Sequence, residues 1–421
     1  MSEARTVMTK LLRYIGGRKE VEQYLRHYGG VESQKFAIIE LGADVLGPDL
    51  DTLAGALAFL QQVGLVPIVV HGASARADAE PAALAVVRRV MQEDNLALVE
   101  ALERHGAKAR PIAAGVFEAE PHEPSGWEGA VTGVDPTAIT AALRAGQMPV
   151  LAALGSTPSG QSLYLRESDA AEALARKLEP HKLIVLRSAG GWVDVEGRPI
   201  SAINLSEDYQ RLVDGGHLTP EAKARLMRIE ALLDELPDTS SVSITSPDHL
   251  ARELFTYRGA GTLIQHGERV LRYERFEDVD LARLTGLLET CFGRKLKPDY
   301  FQTKSCYRVY VSEGYRATAI VTLEDGMPYL DKFAVTTKAQ GEGLGGSVWE
   351  RMRAENPKLF WRAQSQNEVN GWYFQQADGS YKTPKWTVFW YGMSDFDEIR
   401  RCIETALSLP PTLKDHGTSD A

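Results

Sequence analysis

Short, wholly apolar runs separated by helix-length segments recur through the first two-thirds of the chain. No other feature restricts the fold as much. FAIIEL (36–41) ends at Gly42, LDTLAGALAFLQQVG (50–64) carries apolar residues at helical spacing and stops at Gly64, and VPIVVHG (66–72) is a second run. A strand without polar alternation is buried on both faces, which happens in parallel sheets covered by helices on both sides. The alternation continues, with helices predicted at 82–105, 135–145, 168–178 and 219–236. Strands are predicted at PVLAALG (149–155), KLIVLRS (182–188) and SVSIT (241–245). Ahead of the first strand, Leu11, Leu12, Ile15, Val21 and Leu25 keep helical spacing across Gly16-Gly17, which predicts a bent helix over 6–28. Residues 1–267 are therefore expected to form an α/β domain with a mainly parallel sheet and helices on both faces.

After GTLIQHGE (261–268) the pattern changes. A helix, LARLTGLLETCFG (281–293), follows the acidic start Glu277–Asp280; then come the alternating runs CYRVYVSEG (306–314) and YRATAIVTLEDG (315–326). YLDKFAVT (329–336) leads through a glycine-rich turn into the helix GGSVWERMRAE (345–355), and LFWRAQ and TVFWYG are further strands. This predicts an α+β domain over 268–409 and a disordered tail over 410–421, where PPTLKDHGTSDA lacks apolar periodicity.

A net charge of −10 argues against a nucleic-acid partner, which leaves a basic footprint. The three cysteines, Cys291, Cys306 and Cys402, form no CxxC pair and suit neither a disulfide framework nor a zinc site. No apolar run reaches the roughly 18–20 residues of a membrane helix, and the N-terminus shows no signal-peptide pattern, so a cytoplasmic location without membrane contact is expected.

Gln340-Gly341-Glu342-Gly343-Leu344-Gly345 lies between a predicted strand and a predicted helix. Glycines let successive backbone N–H groups converge on a phosphate, and the helix adds its positive end. Alone, such a hexapeptide is as readily an ordinary turn. It lacks the acidic partner of a dinucleotide fold and the GK[ST] of a P-loop. It matches the Q/R-x-x-G-x-G/A signature of GNAT acetyltransferases, and the residues around it extend the match. YLDKFAV (329–335), LFWRAQSQN (359–367), NGWYF (370–374), DGSY (378–381) and FWYG (389–392) together resemble N-acetylglutamate synthases, as do FGRKLKPDY (292–300) and VYVSEGY (309–315). The resemblance is to the vertebrate-like branch and to bacterial N-acetylglutamate synthase/kinases. It covers nearly the whole second domain. The first domain is similar to amino-acid kinases through SAGGWVD (188–194) and ELFTYRGAGTLI (253–264).

The resemblance implies an acetyl-CoA:L-glutamate N-acetyltransferase with no metal, working by direct attack of the amine on the thioester. Acetyl-CoA is expected on Phe333, Ala334, Val335 and the loop Gln340, Gly341, Glu342, Gly343, Leu344 and Gly345. Glutamate's carboxylates fall to Lys332, Arg362 and Asn367, with Arg294 and Lys295 nearby; the family has lysine where Arg294 stands. Tyr373, with Lys332, is the expected catalytic pair, the tyrosine protonating the departing sulfur. From residue type alone, a tyrosine in WYF is more often core, and Lys332 and Arg362 more often surface charges. A cation inside the apolar strand YLDKFAV, or just after Phe360-Trp361, instead points into a half-buried cleft.

Active kinases of this family carry K-x-G-G after the first strand, where the lysine neutralises the transferring phosphoryl group. Here Glu40-Leu41-Gly42-Ala43 stands in its place, and His71-Gly72-Ala73-Ser74-Ala75 replaces H-G-G/A-G-P. Of N-x-x-x-D, Leu165 to Asp169 keeps only the aspartate, and Lys223 is a loose match to another kinase lysine. An inactive kinase-like domain is expected. The resemblance further implies an arginine effector held by Glu253, Gly259, Gly261 and an aromatic such as Tyr24, and a homo-oligomer, a tetramer. Two alternatives stay open: a bifunctional synthase/kinase, and a non-catalytic metabolite sensor.

Overall fold

The apolar runs of the first unit become the strands of an eight-stranded sheet in the computed structural model, which describes residues 36–47, 49–74, 83–122, 127–255, 260–340, 343–367 and 369–414. Contacts divide the chain into two units between His266 and Gly267, with Ser206–Asp208 grouping with the second. The expected helix over 6–28 lies outside the described residues.

In the first unit β1 (Ala37–Leu41), α1 (Leu50–Gln62), β2 (Ile68–His71), α2 (Ala83–Arg104) and β3 (Ala109–Ile112) open the chain. β4 (Phe117–Pro121), β5 (Gly129–Val134), α3 (Thr137–Arg144), β6 (Met148–Ala152), β7 (Leu154–Ser156), β8 (Ser162–Tyr164) and α4 (Glu167–Leu178) follow. Then come β9 (Lys182–Leu186), β10 (Ala202–Asn204), α5 (Leu205–Asp214), α6 (Pro220–Asp234), β11 (Ser241–Thr245), α7 (Leu250–Phe255) and β12 (Thr262–Gln265). The sheet order is β10-β12-β11-β9-β1-β2-β6-β3, parallel except at β11–β12. Alternate residues feed two cores: Ile38, Leu183 and Val185 join one cluster, while Ile39, Leu41, Ile184 and Leu186 join the other. Two buried faces, at about 1.5–3 kcal/mol per buried aliphatic side chain, explain why the strands carry no polar alternation. The predicted run 149–155 is in fact two strands in different sheets. β6 stays in the large sheet, while β7 joins β5-β4-β7-β8.

The second unit contains β13 (Val270–Tyr273), α8 (Leu281–Phe292), α9 (Tyr300–Thr303), β14 (Cys306–Ser312), β15 (Ala317–Glu324), β16 (Met327–Val335) and α10 (Thr337–Gln340). α11 (Leu344–Glu355), β17 (Leu359–Gln364), α12 (Asn370–Gln376), β18 (Gly379–Lys382), β19 (Trp386–Tyr391) and α13 (Phe396–Ser408) complete it. Asp280 caps α8 by accepting from the N–H groups of Ala282 and Arg283, as its place before an apolar run predicts. The seven strands run β13-β14-β15-β16-β17-β19-β18 and are antiparallel except at β16–β17. One face carries α11 and α12 over an aromatic core that includes Trp349, Trp361 and Tyr373. The other carries α8, α9 and α13 over Leu284, Tyr300, Phe360 and Cys402.

The tail departs from expectation. Pro410–Lys414 is ordered against the segment before α9, through a bridge between Leu296 and Leu413. Its extended backbone finds partners on another strand-like segment, which lack of apolar periodicity does not reveal. Residues 415–421 lie outside the described residues.

Candidate active site

The parallel pair β16–β17 holds only at Tyr329↔Phe360 and Leu330↔Trp361. Beyond those pairs β16 stays bonded to β15 through Val335, and β17 to β19 through Gln364, so a wedge opens between them. Among the described residues, backbone groups on the inner edge of β16 from Asp331 to Val335 have no strand partner across the wedge. Such an edge suits an extended ligand with amides of its own.

On the α11 face the wedge meets a helix start. Gly343 is the residue before α11 and sits at φ +71°, a left-handed conformation that suits glycine. A Cβ on Gly345 would come within 3.0 Å of a Val335 methyl, so the helix start and the strand end are in close approach. Leu344 anchors the turn in the aromatic core, and exposed Gln340 donates to the Val335 carbonyl at 3.3 Å. Gly341 and Glu342 lie outside the described residues. The helix end directs orphan N–H groups and its positive dipole end towards the turn, as an anion such as a pyrophosphate requires. Phe333 projects to this face and stacks on Trp372 with ring centroids 5.5 Å apart, whereas Ala334 projects to the other.

Tyr373 lies on this face too. Its ring is packed against Trp361 and Phe389 at 5.6 and 5.5 Å. It is thus a core residue by packing, 7% exposed. Burial alone raises its hydroxyl pKa well above the ordinary tyrosine value, with no charged or hydrogen-bonded neighbour among the described residues contributing. At neutral pH the group is a proton donor, not a base.

The opposite face carries the cations. β16 is bulged against β15 between Lys332 and Leu330, so Asp331 and Lys332 turn to the same side instead of alternating. Lys332 is 6% exposed, lies 4.9 Å above the Tyr300 ring and donates to Asp331 at 2.5 Å and to the Thr412 hydroxyl at 2.6 Å. Burial pulls the lysine below its usual pKa, with Asp331 opposing. Burial would raise Asp331, but Lys332 and Lys304 hold it below the carboxylate range, and Tyr300 donates to it at 2.7 Å. Arg362, on β17, stacks over Trp386 at 4.3 Å and donates to the carbonyls of Ala406 and Pro410.

Arg294 joins the same neighbourhood through the Lys414 carbonyl at 2.8 Å. Lys295 does not: its ammonium extends to Glu289 at 2.6 Å and is largely exposed. Asn367 forms a turn, its side-chain oxygen accepting from the N–H of Val369. Sequence reasoning passed over Asp331, Tyr300, Lys304 and Thr412. Adjacent Asp-Lys in an apolar strand is a readable sign of a bulge; Thr412 had no sequence signal. Among the described residues no cluster of His, Cys, Asp or Glu could hold a metal ion, and no helix is long and apolar enough to cross a membrane.

Residues 271–408 match the family model for the N-acetyltransferase of N-acetylglutamate synthase, and residues 35–229 match the amino acid kinase family. The chain is 46% identical to an acetylglutamate kinase of Xanthomonas campestris across 94% of this chain and 99% of that one. It is 34% identical to the mitochondrial N-acetylglutamate synthase of Homo sapiens, over 89% of this chain and 72% of the relative. The chain belongs to the N-acetylglutamate synthase family. It joins an amino-acid-kinase domain to a GNAT domain and is an acetyl-CoA-dependent acyltransferase. A solved N-acetylglutamate synthase of Neisseria gonorrhoeae, complexed with coenzyme A and N-acetyl-glutamate, shares the fold at 17% identity and a TM-score of 0.53, covering 88% of this chain and 98% of that one.

In the amino-acid-kinase unit, the turns that follow β1 and β2 are packed by side chains of the chain itself. Glu40 is fully buried at the end of β1, paired to Arg187 at 2.7 Å and Arg225 at 2.5 Å. The space beside Gly42, where a Cβ would stand, is occupied by Asp44 and by Arg187 at 2.7 Å, and beside Gly72 by Glu167 at 2.8 Å. Asp169 pairs with Arg228 and Arg166. His71 is buried, its pKa lowered by that burial, and its ring meets Asn95 and the Gly72 carbonyl. Arg225 and Arg228 stand one helical turn apart on α6, a spacing that could have been noticed beside Lys223.

At the end of this unit Glu253 is buried and accepts from the N–H of Ala260 at 2.7 Å. Gly261 abuts Gly191 and the end of β11 so closely that no Cβ fits. Gly259 and Tyr24 lie outside the described residues.

Proposed function

We propose that this chain transfers the acetyl group of acetyl-CoA to the amine of L-glutamate. The observation carrying this reading is the wedge with unlike faces: a helix start and a neutral tyrosine on one side, Lys332 and Arg362 on the other. Acetyl-CoA lies along β16 with its pyrophosphate at Gly343, and glutamate is held by Lys332, Arg362, Arg294 and Asn367. The deprotonated amine attacks the thioester carbon, whose oxygen is polarised by the free N–H groups of β16. The C–S bond breaks and the sulfur takes the proton of Tyr373, while the proton that the nitrogen loses is returned to the tyrosinate through solvent. The fast test mixes the protein with acetyl-CoA and single amino acids and follows free thiol.

Glutamate should exceed glutamine by roughly 10²-fold or more in kcat/KM, because an amide leaves a buried cation unpaired. Arg362→Ala should raise the glutamate KM with little change in kcat. Equal use of glutamine would remove the dicarboxylate reading.

The kinase-like unit is proposed to lack phosphoryl transfer and to answer to arginine through Glu253, Gly259, Gly261 and Tyr24. The identity to an acetylglutamate kinase favours a second reading, a bifunctional enzyme. Against it stands Glu40, a carboxylate where a phosphate would need a cation, with Arg187 and Arg225 already neutralised by it. No ATP-dependent phosphorylation of N-acetylglutamate above background is expected, and Glu40→Lys should not create any. That variant instead sets a lysine against two arginines and destabilises the unit by about 3 kcal/mol, near the low end for a broken buried pair. Efficient phosphorylation by the wild-type chain would establish the bifunctional reading.

A further inference from the structure

The cations assigned to glutamate are already engaged by the protein's own C-terminal segment. Beyond α13 the chain turns back across this face. The Pro410 carbonyl accepts from Arg362 at 3.3 Å, the Thr412 hydroxyl from Lys332 at 2.6 Å, and the Lys414 carbonyl from Arg294 at 2.8 Å. Three oxygens spaced along five residues therefore meet the three cations. The segment is secured alongside by Lys297 N–H to the Thr412 carbonyl at 3.1 Å and by Lys414 N–H to the Lys295 carbonyl at 2.8 Å.

We propose that Pro410–Lys414 is a displaceable strap that closes the acceptor site and competes with glutamate for it. This rests on the glutamate reading above. All three surrogate oxygens are neutral, whereas glutamate brings carboxylates, whose hydrogen bonds to cations are stronger. The strap adds little to the cores, since Leu413 is its one residue in a hydrophobic cluster and is only partly buried. Arg362 keeps its place when the strap leaves, because the Ala406 carbonyl at the end of α13 still holds it. Consecutive prolines, Pro410 and Pro411, set an extended backbone directly after the helix and direct the strap across the face. Thr412 is the contact that covers Lys332.

The test compares the full chain with a chain ending at Leu409 and with Thr412→Val. If the open state holds about 10% of the population, the apparent glutamate KM of the full chain is about tenfold above its intrinsic value. The shortened chain should recover that factor, and Thr412→Val roughly two- to threefold of it, with the acetyl-CoA KM unchanged. In the full chain, saturating glutamate should speed hydrogen exchange at the amides of Lys297 and Lys414. Should the shortened chain fail to fold, the valine variant and the exchange measurement decide. A silent full chain with an active shortened chain would also support the strap. Intact glutamate turnover with an unchanged or raised KM, or exchange unmoved by glutamate, would make the segment a fixed wall and overturn the strap alone. No glutamate turnover by any of the three chains would overturn the acceptor reading and the strap with it.

Discussion

Replacing Tyr373 with phenylalanine should lower kcat for glutamate acetylation by roughly 10²–10⁴-fold, the contribution of a positioned acid. The ring is held by Trp361, Trp372 and Phe389, so phenylalanine keeps the packing. Only the hydroxyl is lost, and burial keeps that hydroxyl protonated well above neutral pH. It is therefore neutral at pH 7, carrying its proton beside the departing sulfur in the proposed arrangement, and cannot take one from an ammonium. Both KM values should stay near wild type, because neither substrate's carboxylates nor the pyrophosphate lies on this residue in the proposed arrangement. Steady-state kinetics in both substrates checks this. A variant with full kcat and raised KM would make Tyr373 a packing residue, and the sulfur's proton would come from water.

Gly343→Val should weaken acetyl-CoA binding by roughly 10²-fold or more, the loss of two or so charge-assisted hydrogen bonds. Two effects combine. At φ +71° a β-branched residue is strained, at about 1–3 kcal/mol. In the proposed arrangement its side chain would also stand where the pyrophosphate approaches the N–H groups at the start of α11. The cores of the first unit are separate from those of the second, so the first unit should stay folded. Calorimetric titration with coenzyme A, beside circular dichroism, measures both halves of the expectation. Wild-type affinity in this variant would remove the pyrophosphate from this turn.

Some residues could be placed from sequence because their local pattern has one structural solution. FAIIEL and KLIVLRS have no polar alternation, and both became strands buried on two faces. The turn before α11 was readable because a left-handed glycine before a helix leaves a trace in residue type. The small sheet β5-β4-β7-β8 was not readable: its strands are short, and PVLAALG hides a change of sheet within one apolar run. Lys332 and Arg362 were singled out through the family resemblance, and the face they occupy could not be read from sequence, because the bulge at Asp331 shifts the alternation by one residue.

The sequence by itself determined the two-unit order, the run of strands and helices and the glycine turn ahead of α11. These follow from local rules, since side-chain period and turn chemistry act over a few residues, whereas the lysine missing at Glu40 is legible only through the family resemblance. Only the tertiary structure decided that Tyr373 and Lys332 lie on opposite faces of one sheet, that Arg187 and Arg225 close over Glu40, and that Thr412 reaches Lys332 across 80 positions. Each of these depends on which strands pair and where pairing stops. That is settled by the free energy of burying both faces of the sheets together, and no window of neighbouring residues contains it.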